Sequence, residues 1–135
     1  MDWNHPWGAA PGNLLTRYVI GLRPLSPGYD QVLIQPHLGT TLSYVEGTIP
    51  TIRGPFSIHE ARTGDSFRVV AEIPGNVTAT VLLPTTTANV VVRVDGNIAP
   101  ATLTNNWVAV KNIGSGKHVI SMSAENSPMT AAYRN

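Results

Sequence analysis

Asn76-Val77-Thr78-Ala79-Thr80-Val81-Leu82-Leu83-Pro84 sets Val77, Ala79, Val81 and Leu83 against Thr78, Thr80 and Leu82 before a proline stops the run. A period of two sends alternate side chains to opposite faces, so this stretch reads as a β-strand with one buried face. The same period extends outward in both directions. Upstream, Phe67, Val69 and Ala71 alternate with Ser66, Arg68 and Val70, and Pro74-Gly75 closes that strand. Before it come Phe56, Ile58 and then Glu60, the run Leu42, Tyr44 and Glu46, and Val32-Leu33-Ile34 stopped by Pro36. Downstream, Val90 to Val94 runs into Asp95-Gly96, a strong hairpin dipeptide. Trp107, Ala109 and Lys111 follow, then a turn over Gly114 to Gly116, then His118, Ile120 and Met122. Short strands punctuated by Gly and Pro at such spacing predict an all-β fold, a β-sandwich or a barrel.

Composition agrees. Charged residues make up 13% of the 135, against about 25% in ordinary domains, while 42% are hydrophobic and the net charge is +1. That balance favours strands and turns over long solvated helices. It supplies no basic patch for nucleic acid. There is no cysteine, and therefore neither a disulfide framework nor a thiolate metal site. No run approaches the roughly 18 apolar residues of a membrane span, and no basic-then-apolar leader opens the chain.

The first residues read differently. Leu14, Leu15, Tyr18, Val19 and Leu22 fall on one stripe of a helix that begins near Pro11 and is bounded by Gly21 and Pro24. Three turns are marginal alone, so the stripe needs a partner surface. The period changes near Pro27-Gly28, which divides the chain into a helix and its approach (1–27), a β-sandwich (28–124) and an aperiodic tail (125–135). Trp3-Asn4-His5-Pro6-Trp7 precedes the helix with nothing upstream to pack on. The expectation is a C-terminal piece of a larger protein.

Candidate chemistry is sparse. The eight carboxylates are scattered along strands and turns, and no catalytic pair is read from them. His5, His37, His59 and His118 show no metal-ligand spacing. His59 and His118 are expected on the solvent faces of strands and His37 in a loop. No G-x-S-x-G elbow or phosphate-binding glycine loop occurs, and no cofactor is implied. Asn76-Val77-Thr78 matches a glycosylation triplet and equally a strand start. Trp107, in an alternating strand, is expected in the core rather than on a sugar-binding platform. Tyr44 and Tyr133 are the other aromatic platform candidates. His5 between two indoles resembles the wall of a sugar subsite, and a segment packed on absent helices explains it equally well.

A family resemblance rests on specific residues. Trp3 to Pro11 as WNHPWGAAP, Arg17 to Leu25 as RYVIGLRPL, Pro27-Gly28-Tyr29, Ile34 to Gly39 as IQPHLG, and Pro50 to Pro55 as PTIRGP are similar to the end of bacterial α-L-rhamnosidases of glycoside hydrolase family seventy-eight. The Ile73 to Ala79 stretch fits more loosely. The resemblance implies an upstream (α/α)6 barrel that hydrolyses terminal α-L-rhamnosides with inversion, followed by a C-terminal domain that is all-β, an antiparallel β-sandwich of jelly-roll type preceded by one short α-helix. It implies that residues up to about Leu22 are the barrel's last helix, that His5 lines the rhamnose subsite, and that the acid and base glutamates lie upstream of Met1. The upstream barrel is then the partner, and the exposed stripe of the isolated chain folds onto its own sandwich or pairs with another copy. The rival readings are a carbohydrate-binding module using exposed aromatics and a structural or adhesion domain.

Overall fold

The structure, a computed structural model, describes residues 9–125. It is a β-sandwich preceded by one short helical segment. The strands are β1 (Leu22–Pro24), β2 (Gln31–Ile34), β3 (Tyr44–Ile49), β4 (Phe56–Thr63), β5 (Ser66–Ile73) and β6 (Thr78–Pro84). They continue with β7 (Val90–Val94), β8 (Asn97–Ile98), β9 (Thr102–Thr104), β10 (Trp107–Ile113) and β11 (Gly116–Ala124). One sheet runs β1-β2-β6-β10-β9 and the other β3-β4-β5-β11-β7-β8. Every pairing is antiparallel except β2 with β6, where Gln31 to Ile34 lie in parallel beside Thr78 to Val81.

The alternation seen in the sequence sets the core. Ala79, Val81 and Leu83 of β6 are fully buried, and they meet Val108 and Val110 of β10 and Val32 and Ile34 of β2 within one apolar cluster. Phe56, Ile58, Phe67, Val69, Ala71, Ile120 and Met122 supply the facing layer. Burial of each such side chain stabilises by about 1.5–3 kcal/mol, which is what holds two sheets of modest length together. The hairpin dipeptide performs as its chemistry requires: Asp95 (φ 53°) and Gly96 (φ 85°) both take the left-handed conformation of a type I′ turn between β7 and β8. The short strands β8 and β9 have too few residues to show a period.

The helical segment departs from the sequence-based reading. An α-helix, α1, spans Ala10–Leu14 and continues as a wider π-helical turn over Leu15–Ile20. Gly21 then adopts φ 77° and ends it, and Leu22, assigned above to the helical stripe, is a buried residue of β1. The cause is a competing ladder. The amide of Gln35 donates to the carbonyl of Gly21 at 3.1 Å and that of His37 to the carbonyl of Val19 at 3.0 Å, which draws the chain into the sheet. Ile20, outside the expected stripe, is the side chain that seats in the core, close against Gly47 of β3. The segment contacts both β1 and β3, the edge strands of the two sheets, and so covers the open side of the sandwich.

Candidate functional site

Three surfaces and one interior group carry the chemistry of the described residues. The first surface is the helix. Leu14, Leu15 and Tyr18 are each more than half exposed, and Val19 is half-buried. The end of the segment is held by the sandwich while its first turns present an apolar stripe. His5, Trp3 and Trp7, which precede it, lie outside the described residues, and so does Tyr133.

The second surface is the outer face of the five-stranded sheet. Val108 and Val110 point inward, so Trp107 and Ala109 point outward, where the Trp107 indole meets the exposed His37 ring edge-on at 5.1 Å. Trp107 is half-buried rather than a core residue. The expectation failed because the alternation fixes only that β10 has two faces, and Val108 and Val110 take the inner one. Arg23 donates to the side-chain carbonyl of Gln35 on the same face, bracing β1 against the end of β2.

The third surface is the outer face of the six-stranded sheet. Tyr44, Glu46 and Thr48 of β3 point out beside Ser57 and His59 of β4, in a register that pairs Glu46 with His59 and Thr48 with Ser57. His59 Nδ1 lies 3.0 Å from Glu46 Oε2, and the Tyr44 ring, 60% exposed, stacks on the His59 ring at 6.2 Å and 17°. Next to this pair a shallow depression of 230 Å³ is lined by Glu46, Thr48, Ser57, His59, Glu72 and Lys117. His59 is solvent-exposed, as its position in the strand led one to expect.

His118 was expected on a solvent face and is instead half-buried. Its Nδ1 meets Asp95 Oδ2 at 2.8 Å, and the other carboxylate oxygen of Asp95 accepts from the Val119 amide at 2.8 Å. The Val119 amide, followed by His118, holds the Asp95 carboxyl below its ordinary range, and Asp95 holds the imidazole above its own. This pair pins the β7–β8 turn to β11. Asp30 belongs to another turn: the Ser26 hydroxyl bonds it and the Gln31 amide donates to it, which lowers its pKa.

The interior group is Glu60. It follows Phe56 and Ile58 on the inward face of β4, is 0% exposed, and neither carboxylate oxygen has a partner among the described residues. Burial alone pushes its pKa up to about 9, so it is a neutral acid at pH 7. The signal was present in the sequence as the third member of an apolar alternation. Among the described residues no group of three or more His, Asp or Glu side chains could hold a metal ion.

Known proteins are similar to this chain in sequence and in fold. A family model described as the bacterial alpha-L-rhamnosidase C-terminal domain matches residues 21–97. An alpha-L-rhamnosidase of Alteromonas sp. (strain LOR) is 33% identical over 66 residues, 49% of this chain and 7% of that protein. One of Streptomyces avermitilis is 28% identical over 117 residues, 87% of this chain and 11% of that protein. The chain thus spans between 7% and 11% of the length of these relatives. The solved alpha-L-rhamnosidase of Dictyoglumus thermophilum shares the fold, with a TM-score of 0.78 at 22% identity, covering 88% of this chain and 14% of that one.

Proposed function

The chain belongs to the family of bacterial alpha-L-rhamnosidase C-terminal domains, and from that premise we propose that it is the terminal sandwich of an α-L-rhamnosidase, bracing a catalytic barrel without supplying a catalytic group. The observation that carries this reading is the divided helix. Its end is stitched through Val19 and Gly21 to Gln35 and His37, just after β2, and seated by Ile20, while Leu14, Leu15 and Tyr18 remain exposed. A sandwich that grips one end of a helix and leaves an apolar stripe free is built to hand that helix to a second body.

On this reading the boundary expected at residue 27 moves back to Gly21, because β1 is a strand of the sandwich: the residues before Gly21 are the last helix of the barrel and its approach, those from β1 to 124 the sandwich, and 125–135 a tail. His5 contributes an imidazole to the rhamnose subsite. Inverting hydrolysis uses one carboxylic acid to protonate the leaving oxygen and one carboxylate to activate water. Both groups belong to the barrel. Asp95 and Asp30 are each engaged in holding a turn and Glu60 is enclosed in the core, which supports a structural role for these three carboxyls.

The test is direct. Purified chain incubated with an aryl α-L-rhamnoside is expected to release no aryl alcohol above buffer. Turnover that co-purifies with the folded chain would place a catalytic pair within it and overturn the reading.

A further inference from the structure

We propose that the outer face of the six-stranded sheet, around Tyr44 and the depression beside it, is a binding surface for a neutral glycan. The site itself owes nothing to the bracing role proposed above. Only the choice of a rhamnose-bearing probe rests on that role.

The argument starts from the groups present. A sugar ring offers an apolar face of C–H groups and a rim of hydroxyls, each a donor and an acceptor. Tyr44 supplies a flat apolar ring, 60% exposed, whose orientation is fixed by stacking on His59 at 6.2 Å. An aromatic side chain left open to water on a strand forgoes much of its burial energy, and here it stands beside a hollow of mixed lining, in which Val70 adds an apolar patch among polar side chains. The rim matches the hydroxyls. Glu46 and Glu72 only accept, Lys117 only donates, and Ser57 and Thr48 do either. Glu72 lies opposite Lys117 in the register and next to Ser57, so acceptor, donor and hydroxyl stand on three adjacent strands, about 4.8 Å apart. Glu72 and Lys117 make no hydrogen bond or ion pair with one another among the described residues, which leaves both available.

Charge and shape narrow the ligand. Two carboxylates against one ammonium disfavour phosphate and polyuronate, and a single aromatic ring offers little to an apolar peptide. At 230 Å³ the hollow is smaller than the roughly 300–1,000 Å³ of sites that enclose a drug-sized molecule, and it is open. It suits one ring of a chain held by one face. Ile20 reaches Gly47 from the core side, so the helix leaves this face of β3 clear.

The experiment is affinity electrophoresis of the full chain through gels containing a soluble rhamnose-bearing polysaccharide, a neutral β-glucan or a polyuronate, with amide shift mapping alongside. Retardation by at least one neutral polysaccharide is expected, weakened roughly tenfold by Tyr44→Ala and reduced by Glu72→Gln. Both variants alter exposed side chains, and their melting temperatures are expected to match the parent. Shifts are expected to centre on β3, β4 and β5. Three results would overturn the site: no retardation by either neutral polymer, retardation by the polyuronate alone, or shifts centred on Trp107. None of them touches the assignment of the domain, which the rhamnoside hydrolysis test addresses separately.

Discussion

Two residues show how single positions decide the behaviour of this chain. Glu60 is a carboxyl enclosed in the sandwich without a partner among the described residues, neutral until about pH 9. Below its ordinary value of 4.5 the folded and unfolded chains both hold the proton. Above it the unfolded chain releases the proton and the folded chain does not, so stability falls as pH rises, by up to about 1.4 kcal/mol per unit, until the folded value is passed. Urea midpoints measured from pH 4 to 8 are expected to decline. Glu60→Leu, which removes an unsatisfied polar group, should flatten that slope and raise stability at pH 7 by about 1–3 kcal/mol. Gly21 is the opposite case, a position where nothing larger fits. Its φ is 77°, and a Cβ there would stand 1.8 Å from the Gln35 carbonyl oxygen, a backbone atom that cannot swing away. Gly21→Ala is expected to cost about 3 kcal/mol or more by urea denaturation. Gly12→Ala, in open space on the helix, should be neutral or stabilising by about 0.5–1 kcal/mol. The sequence marked Gly21 as a helix boundary. The contact that makes it irreplaceable is with a residue fourteen positions later, which no local pattern encodes.

At the scale of elements, what could be read in advance follows from period. The long strands β4, β5, β6 and β11 bury alternate side chains as their sequences require, and the Asp95-Gly96 turn forms as its dipeptide dictates. The helix was harder because two structures compete for its last residues. Intrahelical bonding favours continuing the stripe through Leu22, and the sheet offers the Gly21–Gln35 and Val19–His37 bonds instead. Trp107 was misplaced for a related reason, since alternation tells two faces apart without naming the inner one. The exposed Leu14, Leu15 and Tyr18 lead to a prediction about the isolated chain. Each apolar side chain left in water forgoes roughly 1.5–3 kcal/mol, so the stripe is expected to pair with a second copy. Sedimentation velocity should show a concentration-dependent dimer that Leu14→Glu with Leu15→Glu abolishes. A strictly monomeric parent chain would contradict this. The residues of the proposed subsite, His5 foremost, were legible only through resemblance, because one imidazole between indoles has no spacing that selects a ligand.

In the whole molecule, the two sheets protect their edges differently. β9 and β8 end their sheets in three and two residues, too short to template another chain, while β1 ends in a proline and the helix packs against both β1 and β3. The one parallel pairing, β2 with β6, has a further consequence, in the order of events during synthesis. The helix is held through the residues that follow β2, and β2 joins the rest of its sheet by lying beside β6, 47 residues downstream in the register that pairs Gln31 with Thr78. At roughly 5–20 residues per second, several seconds separate the emergence of the helix from that of its seat. Through that interval the apolar stripe is without its own domain, and any structure that precedes it on the ribosome has the first opportunity to claim it. On the reading proposed above, the sandwich then closes over a helix already placed rather than nucleating the fold around it.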